Sequence, residues 1–365
     1  MLKKLYVNNF KCLVNFELDF EAMNLFLGNN GGGKSTVFEV LRRIQMFVNG
    51  QETIKIFPSD DITLWQTSPL QNFELLLEGN QGRYRYKFDI RHDRVKQINR
   101  VFSEKLWFDE HLLFELDEDG EAHLYRDNYS AGPTYPCDWH RSAVASLPER
   151  HDNTKLTWFK KRMKQIILVQ LIPSQMTGES LQEEEQPTAN LSNFVSWYRY
   201  VYQDQGKSLN ITRELHDIWD DFSYFKLEKV SEQNRVLKAY FTGEGIELAY
   251  RFDQLSEGQR ALIALYSLIH YTVSSDYTLC IDEPENFLAL PEIQPWLTLL
   301  YDLCSEKKLQ ALLISHHPEL IDYLALSVGY WFDRTNYMPT RVKRITEDGS
   351  GLPISELIAR GWLHV

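Results

Sequence analysis

The chain has 365 residues, of which 43% are hydrophobic and 25% are charged, and its formal net charge is −12. This length and composition are typical of an ordinary globular protein and allow either one large domain with an insertion or two domains. The acidic balance disfavours a protein that coats nucleic acid nonspecifically, because such binding depends on Lys and Arg side chains that neutralise phosphates.

Nothing in the sequence indicates export or insertion into a membrane. The first ten residues lack the apolar run and the small-residue cleavage site of a signal peptide. The longest apolar stretch, 261–273, is shorter than the roughly 20 residues that a membrane-spanning helix needs. The four cysteines are scattered and form no C-x-x-C pair, which argues against a zinc site and a disulfide framework. We therefore expect a cytoplasmic protein.

The N-terminal part predicts three short strands, at 5–10, 16–20 and 23–27, followed by a loop and a helix. The helix is predicted because apolar residues recur on one helical face. These residues are Val37, Val40, Leu41 and Ile44.

A phosphate-binding loop lies between the third strand and this helix. Residues 28–35 match the pattern G-x-x-x-x-G-K-S in full, in the strand, loop and helix context that the pattern requires. Glycines let the backbone N–H groups point at phosphate oxygens, and the helix N-terminus adds a positive dipole end. We expect Lys34 to bridge the β- and γ-phosphates and the Ser35 hydroxyl to coordinate Mg²⁺. The predicted nucleotide-binding residues of this loop are Gly28, Asn29, Asn30, Gly31, Gly32, Gly33, Lys34, Ser35 and Thr36.

The middle of the chain is less informative. Strand-like runs within 72–126 predict an antiparallel sheet, and residues 127–157 look irregular before a basic helix at about 155–165. The segment 178–193 has three consecutive glutamates and is predicted to be a mobile linker, and the aromatic segment 194–222 is predicted to be helical. Further strands are predicted at 225–230, 236–241 and 247–252.

These elements predict three parts of the chain: residues 1–175 and 251–365 as the two halves of one domain, with 176–250 as an inserted lobe of helices and strands. Two clusters of basic residues are interpreted as solvated faces, with a local nucleic-acid patch as the alternative. The first comprises Lys155, Lys160, Lys161, Arg162 and Lys164, and the second Arg341, Lys343 and Arg344.

The hexapeptide Leu-Ser-Glu-Gly-Gln-Arg at 255–260, which we call the signature segment, begins a predicted apolar helix. The spacing of Ser256 and Gln259 fits a capping box, which by itself indicates only a helix start. A capped helix N-terminus with free N–H groups and a serine hydroxyl is also an anion site suited to a γ-phosphate. Because the segment lies shortly before a strand that ends in two acids, we predict that Ser256, Gly258 and Gln259 contact nucleotide.

The run 277–284 is apolar until it ends in Asp282 and Glu283. Such a run suits a buried parallel strand, which delivers its acids at the carboxyl end where ligands bind. Asp282 is predicted to hold Mg²⁺, and Glu283 is predicted to orient and polarise the attacking water. An ordinary strand that stops at a polar turn is the alternative.

A further apolar run ends in Ser315-His316-His317, and His316 is predicted to hydrogen-bond the γ-phosphate. A metal-binding pair of histidines is disfavoured, because adjacent residues of a strand point to opposite faces. The motifs described so far resemble those of ATP-binding-cassette ATPases, and this resemblance implies a glutamine that contacts Mg²⁺ and water. The sequence leaves Gln170 and Gln175 open for that role.

Together these motifs resemble the RecF/SMC/OLD-like branch of the ATP-binding-cassette superfamily, and especially the compact ATPases encoded in prokaryotic anti-phage and toxin-antitoxin-like operons. The segments that carry the resemblance are Phe10-Lys11, 24–36, 255–260, 280–286 and 314–318. The resemblance implies an α/β P-loop NTPase of ABC type, with a mixed central sheet, an antiparallel β subdomain and an inserted, mainly helical lobe. It also implies that ATP and Mg²⁺ are held between two copies of the chain, which work with an effector protein or with DNA.

Departures from the family limit this inference. No heptad array is long enough for the coiled coil of SMC and Rad50 members, and no Toprim or HNH pattern follows His316, so a nuclease is not expected. The sequence after Pro284 and the absence of a predicted membrane span argue against a transporter subunit. Two alternatives to an effector-driving ATPase stay open: a RecF-like ATPase for DNA repair or DNA sensing, and a nucleotide-gated scaffold with slow hydrolysis.

Overall fold

The structure is a computed structural model that describes residues 1–93, 96, 98–273, 276–335, 338–347 and 351–362. By contacts between residues, the chain divides into two compact units. The first unit comprises Met1–Ile166 and Asp322–Val365, and the second comprises Ile167–Ile321. The domain boundaries predicted at residues 175 and 250 do not coincide with the limits of these units, and they stay a prediction.

In chain order, the strands are β1 (Leu2–Asn8), β2 (Phe16–Asp19), β3 (Met23–Gly28), β4 (Leu70–Gly79), β5 (Gly82–Asp93), β6 (Ile98–Phe108), β7 (His111–Leu116), β8 (Glu121–Tyr125), β9 (Ala131–Pro136), β10 (Ile166–Gln170), β11 (Glu179–Ser180), β12 (Phe222–Lys229), β13 (Arg235–Gly243), β14 (Ile246–Arg251), β15 (Thr278–Asp282), β16 (Gln310–Ile314), β17 (Gly329–Asp333) and β18 (Arg341–Arg344). In the same order, the helices are α1 (Lys34–Val48), α2 (Ala143–Ser146), α3 (Thr154–Lys164), α4 (Phe194–Val201), α5 (Gln205–His216), α6 (Glu257–Thr272), α7 (Leu290–Ser305), α8 (Pro318–Val328) and α9 (Ile354–Ala359).

The first unit contains an eight-stranded antiparallel sheet in the order β2-β1-β4-β5-β6-β7-β8-β9. Apolar residues alternate along its strands, and every second side chain of β4, such as Phe73, Leu75 and Leu77, is buried. This is the pattern of a sheet with one face packed on a core. The antiparallel sheet predicted at 72–126 is therefore confirmed.

Helix α1 is anchored by aromatic contacts at both of its ends. Near its start, the Phe38 ring lies 5.9 Å from the Phe26 ring of β3, and near its end the Phe47 ring lies 5.4 Å from the Phe88 ring of β5. Phe88 in turn stacks on Phe73 at 4.8 Å. Burial of each Phe side chain stabilises the fold by roughly 1.5–3 kcal/mol. The phosphate loop therefore leads into a helix with a fixed position in this unit.

A second, mixed sheet in this unit contains β3, β17 and β18. Strand β17 pairs with β3 in parallel and with β18 in antiparallel orientation. All six residues of β3 are buried, as expected of a strand that is covered on both faces. The phosphate loop follows the carboxyl end of this strand.

The second unit has the strand order β10-β15-β16 and a separate four-stranded antiparallel sheet of β11, β12, β13 and β14. Strands β15 and β16 are parallel, and Asp282 is the register partner of Ile314. Every residue of α6 from Ala261 to Thr272 is buried, so this helix is the centre of the unit's core.

The lobe at 176–250 contains the two helices α4 and α5 and an antiparallel sheet, so the strands predicted at 225–230, 236–241 and 247–252 are present. The lobe is therefore mixed, and its description as mainly helical was too narrow. The segment 178–193 is not a free linker: Glu179 and Ser180 pair with β13, and the Glu184 N–H donates to the Ser196 carbonyl. Periodicity missed these contacts because they join residues that are distant in sequence. Within the described ranges, no helix has the length and apolarity that crossing a membrane requires.

Candidate nucleotide-binding site

The phosphate loop has two positions at which both the backbone conformation and the packing exclude a side chain. Gly28 has φ +141°, and a Cβ placed on it lies 2.2 Å from the backbone oxygen of Phe332 in the neighbouring strand β17. Gly33 has φ +105°, and its Cβ lies 2.5 Å from Thr340 Oγ1. A side chain at either position therefore meets both a conformational penalty and a clash. The spacing of the glycines in the sequence identified the loop, and the packing explains why glycine is required at these two positions.

Lys34 begins α1 and folds back over the loop. Its Nζ donates to the carbonyl oxygens of Gly28 at 2.6 Å and Asn29 at 3.1 Å, and the residue is only 5% exposed. A buried ammonium group needs such acceptors. The contacts place a positive charge at the mouth of the loop, at the start of a 15-residue helix whose first turn has no acidic residue. Both features favour a bound anion.

A contact that the sequence did not suggest supports the loop from behind. Thr340 Oγ1 donates to the Gly32 carbonyl at 3.0 Å, and the Thr340 N–H donates to the Cys12 carbonyl at 2.9 Å. Cys12 Sγ lies 3.7 Å from Thr36 Oγ1, on the first turn of α1. Thr340 is buried, with 4% exposure. The loop is therefore fixed by a residue 308 positions away in the chain.

In the second unit, the acidic pair lies at the carboxyl end of β15. Asp282 ends the strand, and Glu283 has φ +51°, a left-handed conformation that is uncommon outside glycine. The Glu283 N–H donates to the Ile314 carbonyl at 2.9 Å, and Asn286 Nδ2 donates to Glu283 Oε2 at 2.8 Å. The hydrogen bond from Asn286 restrains the Glu283 carboxylate. Strained backbone of this kind is frequent at functional sites.

The segment after β16 lies beside this turn. Glu285 Oε1 accepts hydrogen bonds from Ser315 Oγ at 2.6 Å and from the His316 N–H at 3.2 Å. Ser315 Oγ also accepts from the His317 N–H at 3.1 Å. His316 itself is exposed. The second unit thus brings His316 together with Asp282 and Glu283 at one end of two parallel strands.

The signature segment begins α6 as a capping box. Ser256 Oγ accepts from the Gln259 N–H at 3.1 Å, and Gln259 Oε1 accepts from the Ser256 N–H at 3.0 Å. Ser256 is exposed at the helix N-terminus. A Cβ on Gly258 lies 2.7 Å from the Phe287 carbonyl oxygen, so this glycine allows the turn after Glu283 to approach the helix. The capping interpretation is confirmed, and the nucleotide contact stays a prediction.

The remaining candidates are the two glutamines. Gln170 ends β10 and Gln175 ends a 3-10 helix, and both side chains are exposed. The Gln175 side-chain oxygen accepts a hydrogen bond from Asn190. Neither arrangement selects one of them for a role with Mg²⁺ and water, so that assignment stays open.

The basic cluster of α3 is largely used within the fold. Lys155 Nζ donates to Tyr129 Oη at 2.7 Å, and Lys160 Nζ donates to the Leu147 carbonyl at 2.6 Å. Lys161 pairs with Glu149 at 3.1 Å, and Arg162 is 1% exposed. Partial burial also lowers the pKa of Lys160. These contacts leave little free positive charge for a nucleic-acid patch on α3.

The site residues thus fall into two groups, one in each unit. Residues 28–36 form a loop in the first unit whose geometry favours a bound anion, and the signature segment, the acidic pair and His316 lie near one another in the second. The residues fit Mg-ATP by the chemistry of their donors: a helix N-terminus and an ammonium group suit phosphates, and the Ser35 hydroxyl and Asp282 carboxylate are the oxygen ligands that Mg²⁺ prefers. The sequence did not reveal the roles of Thr340, Glu285 and Asn286, although the last two directly follow the acidic pair.

Comparison with known proteins agrees with this arrangement. Residues 145–322 match the family model described as an AAA domain, putative AbiEii toxin, Type IV TA system, and residues 1–120 match the model described as an AAA ATPase domain. Among solved structures, the chain is similar to the SMC head domain from Thermotoga maritima, with 15% identity and a TM-score of 0.51, over 95% of this chain and 99% of that one. No curated protein matches. The structural match confirms the predicted α/β P-loop fold.

Proposed function

We propose that the chain is an SMC/RecF-like ABC-type ATPase, which binds Mg-ATP between two copies of itself and hydrolyses it. The two family-model matches and the fold shared with an SMC head domain support this proposal. The observation that carries the proposal is the constrained phosphate loop, in which Lys34 is held over the carbonyls of Gly28 and Asn29 at the start of α1. In this proposal the loop of one copy binds the phosphates, and Ser256 of the other copy completes the site.

Each proposed role follows from the chemistry of the side chain. Lys34 neutralises the β- and γ-phosphates, and Mg²⁺, held by Ser35 and Asp282, would screen the phosphate charge. Glu283 accepts a proton from the attacking water, and His316 hydrogen-bonds the γ-phosphate. The hydrogen bond from Asn286 keeps the Glu283 carboxylate in one orientation, which lowers the entropic cost of reaching the water.

The test compares two variants that separate binding from hydrolysis. Lys34→Ala should abolish tight binding of a fluorescent ATP analogue, because the phosphates lose their buried cation. Glu283→Gln should retain binding and lower the steady-state ATPase rate by about 10²–10⁴-fold, the usual contribution of a general base. Exposed residues serve as controls, and both Lys55→Ala and Glu306→Gln should match the wild type. A Glu283→Gln protein that hydrolyses ATP at the wild-type rate contradicts the assignment of the base.

The proposed biological role is to drive or gate an effector protein in anti-phage defence. It is supported by the match over 145–322 to a family whose description includes a Type IV toxin-antitoxin system. The internal use of the α3 lysines and the net charge of −12 disfavour DNA as the main partner. Co-purification with the product of the neighbouring gene, with and without ATP, tests the role. ATPase activity that rises with added DNA and falls steeply with salt would favour the DNA-sensing alternative instead.

A further inference from the structure

Glu285 is a buried acid that the proposed chemistry does not use. It lies two residues after Glu283 and is 8% exposed. Its Oε1 atom accepts two hydrogen bonds, from the Ser315 hydroxyl at 2.6 Å and from the His316 N–H at 3.2 Å. Its Oε2 atom is buried and accepts no hydrogen bond from any described residue. A carboxylate with one unsatisfied oxygen is therefore held at the edge of the site.

This arrangement is costly for stability. Burial of a carboxylate is unfavourable unless both oxygens are paired, and replacement of such a group by an apolar residue is often neutral or stabilising. The two hydrogen bonds to Oε1 offset the cost only in part. A contribution to fold stability therefore does not explain why Glu285 is buried here. Its hydrogen-bond partners indicate a different role.

Both donors belong to the segment that carries His316. Ser315, which is fully buried, contacts Glu285 and also accepts the His317 N–H, so the backbone on each side of His316 is fixed through one carboxylate oxygen. Glu285 follows β15 and Ser315 follows β16, two parallel strands in register at Asp282 and Ile314. The contact therefore connects the turn that holds the proposed base with the residue that is proposed to contact the γ-phosphate.

We infer that Glu285 is a positioning residue, which fixes the backbone of His316 so that its imidazole is directed at the γ-phosphate. The inference rests on the proposed function, because it acts through the role proposed for His316. Glu285 touches neither nucleotide nor water in this account. Its effect arises because a histidine on a restrained backbone loses less conformational freedom when it binds phosphate.

The experiment is a double-mutant cycle on kcat with Glu285→Ala and His316→Ala. Glu285→Ala should lower kcat about tenfold or more and change KM less than threefold, since the lost positioning acts at the γ-phosphate. In the His316→Ala background, Glu285→Ala should cause no further loss, because residues that act as one unit are not additive. Glu285→Gln should restore most of kcat, because its amide oxygen accepts the same two hydrogen bonds. Independent, multiplicative losses in the double variant overturn the inference.

A matched control separates positioning from general stability. Glu292 is another carboxylate that follows β15, and its Oε2 accepts the Ala289 N–H at 2.9 Å as a cap of α7. Glu292→Ala should lower the unfolding midpoint and leave kcat unchanged. If Glu285→Ala does not fold, Ser315→Ala replaces it in the cycle, since that variant removes one donor to Glu285 and the acceptor for His317. The same absence of additivity with His316→Ala is then expected.

A second measurement tests the role of Glu285 even if the proposed hydrolysis proves wrong. The ratio of the Kd values for ADP and ATP reports the γ-phosphate contact without hydrolysis. Glu285→Ala and His316→Ala should lower this ratio to the same extent. If the wild type binds ATP without hydrolysing it, only the proposed hydrolysis fails, and equal loss of the ratio still supports the inference. A Glu285→Ala protein with the wild-type ratio and the wild-type kcat overturns it.

Discussion

At the scale of single residues, the informative positions are those that break an ordinary rule. Glu283 has a positive φ although it is not glycine, and Gly28 has φ +141° against the backbone of Phe332. Both positions lie at carboxyl ends of parallel strands, where a reactive or binding group must leave the sheet abruptly. Glycine avoids strain at position 28, whereas the strain at Glu283 is tolerated because neighbouring hydrogen bonds, such as that from the Glu283 N–H to the Ile314 carbonyl, fix the chain.

Two glycine variants distinguish strain from steric exclusion. Gly28→Ala should lower the free energy of unfolding by more than Gly31→Ala. A Cβ on Gly28 lies 2.2 Å from a backbone oxygen, whereas a Cβ on Gly31 has no neighbouring atom within 4 Å. Gly31 has φ +79°, so its variant should cost only the conformational penalty, roughly 1–2 kcal/mol. Urea unfolding of both variants gives the comparison. Equal losses would mean that the loop moves away from Phe332 at little cost.

Some residues of the candidate site could be predicted from the sequence and others could not. Lys34, Asp282 and Glu283 stood out because each follows an apolar strand in a pattern with a chemical reason. Thr340 did not, since a threonine near the end of the chain has no local feature that relates it to Gly32. Its contact exists only because β18 pairs with β17, which pairs with β3.

At the scale of elements, the N-terminus of helix α6 has one observed role and one proposed role. Ser256 caps the helix through the Gln259 N–H, and the same hydroxyl is proposed to contact the γ-phosphate of the other copy. Capping serves the stability of one chain, whereas phosphate contact serves the interface. A substitution that preserves the helix cap and opposes the phosphate contact would separate the two effects.

Ser256→Asp is such a substitution. Aspartate is as good a helix cap as serine, so the free energy of unfolding should change by less than about 0.5 kcal/mol, whereas Ser256→Ala should lose about 1 kcal/mol. The aspartate charge should repel the γ-phosphate and abolish ATPase activity and ATP-dependent dimerisation. Chemical unfolding and size-exclusion chromatography with light scattering measure the two effects. A Ser256→Asp protein with full ATPase activity rules out the phosphate contact.

The other end of α6 carries a buried histidine, His270, which is 8% exposed. Burial lowers the pKa of His270 to about 4, and Glu214, at 3.7 Å from Nε2, is too far to hydrogen-bond. Since the folded-state pKa lies below the unfolded value of 6.5, neutral His270 stabilises the fold above pH 6.5, and this contribution is lost as pH falls towards 4.

His270→Leu should therefore flatten the acid side of the stability profile. Relative to this variant, the wild type should lose on the order of 3 kcal/mol of unfolding free energy between pH 7 and pH 4. Urea unfolding of both proteins at the two pH values measures the difference. Parallel profiles would show that His270 is protonated in the folded protein at pH 4 without cost.

At the scale of the whole molecule, the proposed interface makes each site depend on two chains. In a two-fold dimer, the loop of one copy faces the signature segment of the other, and the same contact occurs twice. When a variant of the phosphate loop is mixed with a variant of the signature segment, a mixed dimer has each defect in a different chain. Both defects then fall in the same site, and the other site is intact. This property distinguishes a shared site from one that is complete within a single chain.

A mixing experiment applies this distinction. Lys34→Ala and Ser256→Arg proteins should each lack ATPase activity, but an equal mixture should recover about a quarter of the wild-type rate. Random pairing makes half of the dimers mixed, and each mixed dimer has one intact site of two. Steady-state ATPase assays over a range of mixing ratios give the recovery. No recovery at any ratio, with mixed dimers present, contradicts the shared site.

The sequence by itself predicted the P-loop fold, which the structure confirms, and the residues for which we propose the chemistry of an ATPase. Phosphate loops, strand-end acids and capped helix starts depend on local geometry, in which a few adjacent residues fix the backbone and present one functional group. The same locality explains why strands in the sheet at 72–126 were predictable from alternation, and why the capping box of Ser256 and Gln259 was recognised.

Only the tertiary structure decided which residues support that chemistry. The pairing of Glu179 and Ser180 with β13, the contact of Thr340 with Gly32 and the link from Glu285 to Ser315 all join segments that are distant in sequence. Such contacts depend on strand order and register, which a hydrophobic pattern leaves open, because many pairings bury the same apolar faces. The residues proposed to react could therefore be predicted from the sequence, while the residues that hold them in place are set by the packing.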